Sequence, residues 1–380
     1  MKNYQINRIE NSDRATEAYM LMIQERLNVF RTDLAEANLD AMLIVNQANI
    51  RYLSNYTGDE AFLFISRGRS ILITDFRYME QAAQECPDYQ IILHRHPAPP
   101  LTTIVNNLCV EQCVKRLAFE RDHISYALYD ELHNDVIDAV ELEPFSGMTE
   151  RQRYIKTPYE IEMLRHACAA TDKTFAAVCE YIRPGVSEKD VARELIYAIL
   201  NQGCDSSFPV IVASGVNGSL PHAIPTDKLL AKNEFITMDF GCKYNGYHAD
   251  MTRTVFIGKA DEKQRKIYDI VLEAKGRAES LIKDGVSART VDTAARDFIA
   301  EQGYGGYFGH GLGHGVGLEI HEKPILNPSS QHVLKRGCLH TVEPGIYLPG
   351  WGGVRVEDTV LVTKTGHENL FTATRELISL

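Results

Sequence analysis

Three histidines, His310, His314 and His321, lie in one run from Gly309 to Glu322 in which every second position from Gly309 to Gly317 is glycine. Glycine weakens helix and strand alike, but it lets backbone pass close to a ligand or to other backbone. A histidine set among glycines has few side chains beside it and can reach a buried ion. Phosphate cradling is the competing chemistry for such a run. Neither a G-x-G-x-x-G spacing nor a following Gly-Lys-Ser/Thr is present, so metal or peptide chemistry fits better. This stretch alone also leaves open a tight strand-turn region with incidental histidines.

Four acidic residues sit in strand-like contexts. Asp239 lies in Ile236-Thr237-Met238-Asp239-Phe240 and Asp250 in His248-Ala249-Asp250-Met251-Thr252. The two segments read as a β-hairpin turning near Tyr244-Asn245-Gly246. A loop over Lys243–Gly246 would set Asp239 directly opposite Asp250, with Cβ atoms roughly 5 Å apart. Carboxylates that close repel unless a cation or proton lies between them. The strand around Asp239 reads as buried, where an unpartnered carboxylate is costly. Two separately solvated aspartates are the common alternative, but that reading must also cover Glu343 in Thr341-Val342-Glu343-Pro344-Gly345 and Glu357 in Val354-Arg355-Val356-Glu357-Asp358. Four carboxylates with His314 make an oxygen-rich set with one nitrogen. Such a set suits two divalent ions of the Mn or Co kind better than a tetrahedral structural Zn. Ions bridged by carboxylates can activate a shared water.

The elements that must position these residues come from an internal repeat. Ile182-Arg183-Pro184-Gly185-Val186-Ser187 matches Ile282-Lys283-Asp284-Gly285-Val286-Ser287, and Gln202-Gly203 matches Gln302-Gly303. Each copy reads as helix, glycine turn, serine-capped helix and glycine stop, followed by strands carrying two of the acids. Two half-domains related by a pseudo-two-fold, with the site between them, follow from this. Thr157-Pro158-Tyr159-Glu160 carries a cap, a proline at the first helical position and a capping box, and opens a long helix ended by Pro184-Gly185. Before it, a helix from about Ala15 to Asn38 precedes strands at residues 41–45, 61–66, 70–74, 89–94, 116–119 and 139–144. Helices are expected at residues 78–85, 101–112 and 125–136. This alternation indicates an α/β domain. The boundary falls in the polar segment Pro144–Lys156, giving domains 1–148 and 149–380. His94 and His96, beside Pro97 and Pro99 with no carboxylate cluster near them, are expected at the surface.

The bulk properties narrow the function. The chain has 380 residues and a net charge of −11 without a Lys/Arg cluster, which argues against a nucleic-acid surface. No apolar run is long enough to span a membrane, and the N-terminus has no signal-peptide core. The eight scattered cysteines contain no C-x-x-C pair. They read as reduced thiols of a cytoplasmic protein.

Asp239, Asp250, His314, Glu343 and Glu357, taken in their motifs, resemble the pita-bread metallopeptidases. These include Xaa-Pro aminopeptidase, prolidase and methionine aminopeptidase. The motifs that carry the likeness are Met-Asp-Phe-Gly, Ala-Asp-Met-Thr-Arg-Thr, Gly-His-Gly-Leu-Gly-His-Gly, Thr-Val-Glu-Pro-Gly-Ile-Tyr and Gly-Val-Arg-Val-Glu-Asp. The likeness covers essentially the whole chain. It implies an α+β architecture: a pita-bread catalytic domain with a pseudo-two-fold internal repeat, preceded by a smaller α/β creatinase-type N-terminal domain of the proline-specific branch.

By position, the resemblance implies that Asp239 binds one of two divalent ions, that Asp250 and Glu357 bridge both, and that His314 and Glu343 complete the second. The metal is expected to be Mn, with Co or Zn as alternatives. A water activated by the pair is expected to attack the scissile carbonyl, with Glu343 as base. His222, in Ser219-Leu220-Pro221-His222-Ala223, matches a substrate-side histidine. His310 and His321 match two that contact the substrate carbonyl or the intermediate, and Arg355 would hold the carboxylates in place. His248, beside Asp250, is given no catalytic role. The implied activity is hydrolysis of the N-terminal Xaa-Pro bond of small peptides, as an Xaa-Pro aminopeptidase with Xaa-Pro dipeptidase as the alternative, by a homodimer. A methionine aminopeptidase lacks a domain like residues 1–145. A metal-free hydrolase or a peptide-binding pseudoenzyme on this fold is disfavoured because all five ligand positions are intact.

Overall fold

In the first part of the chain, short β-branched and aromatic runs separated by capped helices build one mixed sheet. The structure, a computed structural model, describes residues 21–136 and 139–380. A helix, α1, covers 21–36; the expected start from Ala15 lies outside the described residues. There follow β1 (Ala41–Ile44), α2 (Gln47–Ser54), β2 (Phe62–Ser66), β3 (Ser70–Thr74), α3 (Met79–Glu85), β4 (Gln90–Leu93), α4 (Leu101–Glu111), β5 (Arg116–Glu120), α5 (Tyr126–Asp135), β6 (Glu141–Phe145) and α6 (Met148–Arg153). The sheet order is β4-β3-β2-β1-β5-β6. The β1–β2 and β2–β3 pairs are antiparallel, and the remaining pairs are parallel. Leu43, Phe64 and Ile73 of the sheet pack against Ile104, Val105 and Leu108 of α4.

Two expectations change here. The helix α2 is absent from the sequence reading because its eight residues give little periodicity. It is set by its ends: Asn46 accepts from the Asn49 N–H, and Asn55 closes it in the left-handed region at φ 68°. His94 is buried, not at the surface. Its ring meets Phe62 edge-on with centroids 5.6 Å apart, and burial lowers its pKa. The strand that ends at Leu93 carries His94 inward before the prolines begin; His96 is exposed, as expected.

The second part opens with α7 (Pro158–Tyr181) and α8 (Glu188–Asn201), then β7 (Asp205–Ser206), β8 (Ile211–Ser214), β9 (Phe235–Phe240), β10 (Cys242–Tyr244), β11 (Tyr247–His248) and β12 (Met251–Phe256). It repeats with α9 (Glu262–Glu279), α10 (Ala288–Glu301), β13 (Gly313–Gly315), β14 (Glu322–Leu326), β15 (Leu339–Val342), β16 (Gly345–Leu348), β17 (Gly352–Arg355), β18 (Asp358–Val362) and β19 (His367–Asn369). Contacts divide the chain into two compact units, Met1–Arg153 and Tyr154–Leu380. Among the described residues, no helix is long and apolar enough to cross a membrane, and all eight cysteines are free.

The repeat is real in three dimensions. Gly185 and Gly285 turn the chain at φ 89° and 83°, values open to glycine at little cost. Ser187 then caps α8 through its side chain, and Ser287 holds the same position before α10 without a side-chain capping bond. In each copy a later strand-like segment docks on the turn: Gly185 donates to Leu230 O at 2.9 Å, and Gly285 donates to Leu334 O at 2.8 Å. Ile267 and Val271 of α9, with Val291, Ala295 and Ile299 of α10, pack against Val342, Val360 and Val362 of the second sheet. Fully burying one such side chain stabilises by roughly 1.5–3 kcal/mol.

The hairpin exists with a different register. Asn245 and Gly246 both have positive φ, 46° and 80°, as a two-residue hairpin turn requires. The four-residue loop expected over Lys243–Gly246 is therefore replaced by this tighter turn. Asp239 pairs with Thr252, not Asp250. The registers on either side, Phe240↔Met251 and Lys243↔His248, place Gly241 opposite Asp250. A two-residue shift keeps both aspartates on one face, because side chains alternate with period two. Gly241 is needed there: a Cβ on it would lie 1.8 Å from Ala249 O. In the second copy, Val342↔Asp358 and Gly345↔Arg355 set Glu343 opposite Glu357. Asp250, Glu343 and Glu357 thus sit where a ladder is interrupted and side chains can turn inward, while Asp239 stays within the ladder, paired with Thr252 and Ile211.

Candidate metal centre

These interruptions open into a cavity of about 560 Å³ whose walls include Asp239, Asp250, His314, Glu343 and Glu357. His314 stands at their centre. Its Nδ1 lies 3.1 Å from Gly315 O, which makes Nδ1 the protonated nitrogen and frees Nε2 as an acceptor. Nε2 lies 3.5 Å from Asp250 Oδ2 and 3.4 Å from Glu343 Oε1. One ligand atom each from Asp250, His314 and Glu357 lies within 4.8 Å of the others. Asp239 and Glu343 line the same cavity outside that tightest group.

A short chain of hydrogen bonds holds the carboxylates. Arg355 Nη2 donates to Asp239 Oδ2 at 2.7 Å, and Arg355 Nε donates to Thr252 Oγ1 at 2.9 Å. Thr252 Oγ1 then donates to Glu357 Oε2 at 2.6 Å. Thr341 Oγ1 accepts from the His314 backbone N–H at 3.0 Å and donates to Glu343 at 3.2 Å. Two oxygens are left over: Asp239 Oδ1 and Glu357 Oε1 are buried with no hydrogen-bond partner among the described residues. Unpartnered buried carboxylate oxygens are costly. Divalent cations fit this donor set, because they would take up both orphaned oxygens.

The electrostatics agree. Burial, and then the charge of the neighbouring acids, pushes Asp250 and Glu357 well above the usual carboxylate range. Burial pushes Glu343 up to about 8, although Arg355 opposes it. Burial and the nearby His321 lower His314 to about 4. Arg355 is the only Lys or Arg lining the cavity among the described residues, and one guanidinium does not balance four acids. Positive charge among them would restore ordinary ionisation.

The remaining residues singled out from the sequence divide by position. His321 reaches the cavity with its ring centroid 4.4 Å from that of His314. His310 lines the cavity with Nδ1 2.8 Å from Gly311 O and Nε2 2.9 Å from Tyr347 Oη; burial lowers it to about 4. His222 lines the cavity from the loop after β8 and is exposed. His248 points away, with Nδ1 3.1 Å from Ser207 O. Sequence reasoning missed Thr252, Thr341 and Tyr347. Thr252 follows Asp250 by two and so shares its strand face, a signal that was available. Tyr347, which accepts from Arg355 Nη1 at 2.9 Å, gave no such signal.

This geometry defines a metallopeptidase site, and comparison with known proteins agrees. Residues 162–364 match metallopeptidase family M24, and residues 26–155 match the creatinase/prolidase N-terminal domain. The chain belongs to family M24 and has its pita-bread fold. The Xaa-Pro dipeptidase of Pyrococcus horikoshii is 34% identical over 364 residues, covering 94% of this chain and 100% of that one. Among solved structures, an Xaa-Pro dipeptidase from Bacillus anthracis superposes with a TM-score of 0.90 at 42% identity, over 94% of this chain and 100% of that one. An X-Pro aminopeptidase from Thermotoga maritima superposes at 0.86 with 34% identity, over 92% and 98%.

Proposed function

We propose that this metallopeptidase hydrolyses the bond between an N-terminal residue and a proline in second position, and that it accepts peptides longer than two residues. Asp239 would hold one divalent cation, His314 and Glu343 a second, and Asp250 and Glu357 both. Such cations, when bound, supply Lewis acidity and a nucleophilic water at neutral pH. The protein's own groups do the rest. Glu343 takes the proton released by the attacking water. His321 and His222 face the reacting bond from the cavity walls, as donors to the oxygen that gains charge, and His310, with Nδ1 on Gly311 O and Nε2 on Tyr347 Oη, shapes the wall beside them. Arg355 fixes Asp239, and Tyr347 fixes His310. The apolar wall of Phe208, Pro209, Val210 and Ile211 suits a proline ring.

The observation that carries the longer-peptide reading is the commitment of Arg355. It is the sole Lys or Arg lining the cavity among the described residues, and it is spent on Asp239 and Tyr347. A dipeptide would bring a free carboxylate into the cavity without a free guanidinium or ammonium to meet it, and a buried unpaired charge is costly. A tripeptide carries that charge out of the cavity. The second reading, an Xaa-Pro dipeptidase, is supported by the relatives that bear that name. Rates on Xaa-Pro against Xaa-Pro-Xaa peptides separate the two. The tripeptide is expected to be cleaved with at least about tenfold higher kcat/KM, corresponding to about 1.4 kcal/mol; a dipeptide preference would overturn the reading.

The oxygen-rich donors support Mn as the resident metal over Zn. The unpaired cysteines support a cytoplasmic location. The family resemblance supports a homodimer, with residues 149–380 carrying the chemistry.

A further inference from the structure

Glu188 is a carboxylate that the chemistry above does not use. It is fully buried, and every hydrogen bond it accepts among the described residues comes from a neutral donor. Oε1 accepts from Ser214 N at 2.7 Å, Ser214 Oγ at 2.8 Å and Asn217 Nδ2 at 3.0 Å. Oε2 accepts from Thr226 N at 3.0 Å, Thr226 Oγ1 at 2.6 Å and Asn217 Nδ2 at 3.2 Å. Ser214 ends β8, and Thr226 closes the loop that follows. One carboxylate therefore fastens both ends of the loop 215–225, whose tip, Pro221 to Pro225, forms one rim of the cavity and carries His222.

The rest of that loop is tied to the metal centre. Gly218 packs on Gly353 so closely that a Cβ on Gly353 would lie 2.0 Å from Gly218 O. Arg355 Nη1, from the guanidinium that holds Asp239, donates to Pro221 O at 3.3 Å. His222 is thus set by Arg355 on one side and by Glu188 at the base. The internal repeat supplies a control. Ala288 follows Ser287 as Glu188 follows Ser187, and its N–H donates to His332 O at 3.0 Å as that of Glu188 donates to Lys228 O at 3.1 Å. The scaffold itself therefore does not require a carboxylate at this position. The second copy, whose own loop carries His310, His314 and His321, places Ala288 there instead.

The geometry points to Glu188 as a positioning residue for substrate recognition, acting through the loop that presents His222; this rests on the proposed peptidase reading. The test is Glu188→Gln made in the wild-type chain and in the His222→Ala chain. The amide keeps the shape, but its NH₂ faces the Thr226 N–H as donor to donor. In the wild-type background kcat/KM is expected to fall about tenfold, mostly through KM, with metal stoichiometry unchanged. In the His222→Ala background the same change should cost less than about twofold, because the two residues act as one unit. Equal losses in both backgrounds, an unchanged KM, or lost metal would overturn the proposal. Should Glu188→Gln not fold, Thr226→Val removes one donor and is read the same way. Hydrogen exchange at the Ser214 and Thr226 amides reads the fastening without substrate. Faster exchange is expected in Glu188→Gln, and unchanged protection would overturn the clamp whatever the activity. Faster exchange in a chain whose wild type cleaves no Xaa-Pro peptide would overturn the functional reading and leave the fastened loop standing.

Discussion

His314 and His321 lie seven residues apart with rings nearly touching, yet they should fail differently when truncated. His314 has its Nδ1 turned to Gly315 O and its Nε2 turned to two carboxylates, the posture of a ligand. His321 faces the cavity and is exposed, the posture of a donor to substrate. His314→Ala should weaken or empty a metal position. His321→Ala should keep metal and thermal stability while kcat falls about 10²–10³-fold. Metal content, melting temperature and kcat measured side by side check this; metal loss in both variants, or a normal rate for His321→Ala, would contradict it. At this scale the sequence was most informative for residues with rare chemistry in rare company. His310, His314 and His321 stand out among glycines, and Glu343 stands out before Pro344-Gly345. Of the threonines that orient them, Thr252 is marked only by its two-residue spacing from Asp250, and Thr341 is ordinary until its register is known.

The elements present Asp250, Glu343 and Glu357 through interrupted ladders and Asp239 from within one, and the second interruption is braced from behind. Asp358, next to Glu357, is fully buried and accepts from Arg253, Lys275 and Arg375, each at 2.7 Å. Arg253 also spends its other donors on the carbonyls of Thr252, Glu357, Ala373 and Thr374. Lys275 is also buried and keeps only Glu279 as a second anion, so removing the shared anion leaves two buried cations short of counter-charge. Asp358→Asn is therefore expected to cost about 3–5 kcal/mol, lowering the melting temperature by roughly 6–20 °C. Lys275→Met leaves Asp358 with two arginines and should cost less. Thermal melts of the two variants check the ordering, and an equal or larger loss for Lys275→Met would contradict it. The hairpin carrying Asp239 and Asp250 was legible from alternation and an Asn-Gly turn. Its register was not, because four-residue and two-residue turns keep the same residues on the same face. Likewise α2 went unread because its stability comes from Asn46, Asn55 and tertiary packing rather than from periodicity.

Across the whole molecule, the repeat is what makes the site legible. Matching helix–glycine–serine–helix units, each followed by strands bearing two acids, imply a shared centre before any distance is known. A buried side chain such as His94 is decided by long-range packing that no local pattern reports. The central claim is that four carboxylates and His314 hold two divalent cations without which no Xaa-Pro bond is cut. It is tested most directly by stripping the chain with a chelator and titrating Mn back while following hydrolysis of an Xaa-Pro-Xaa peptide, in the wild type and in Asp250→Asn and Glu357→Gln. The account predicts no hydrolysis in the stripped chain and full recovery as two equivalents bind. It predicts neither tight binding nor recovery in the two variants, which lose a charge from a buried cluster. Hydrolysis by the stripped chain, or near-normal metal content and rate in either variant, would contradict it.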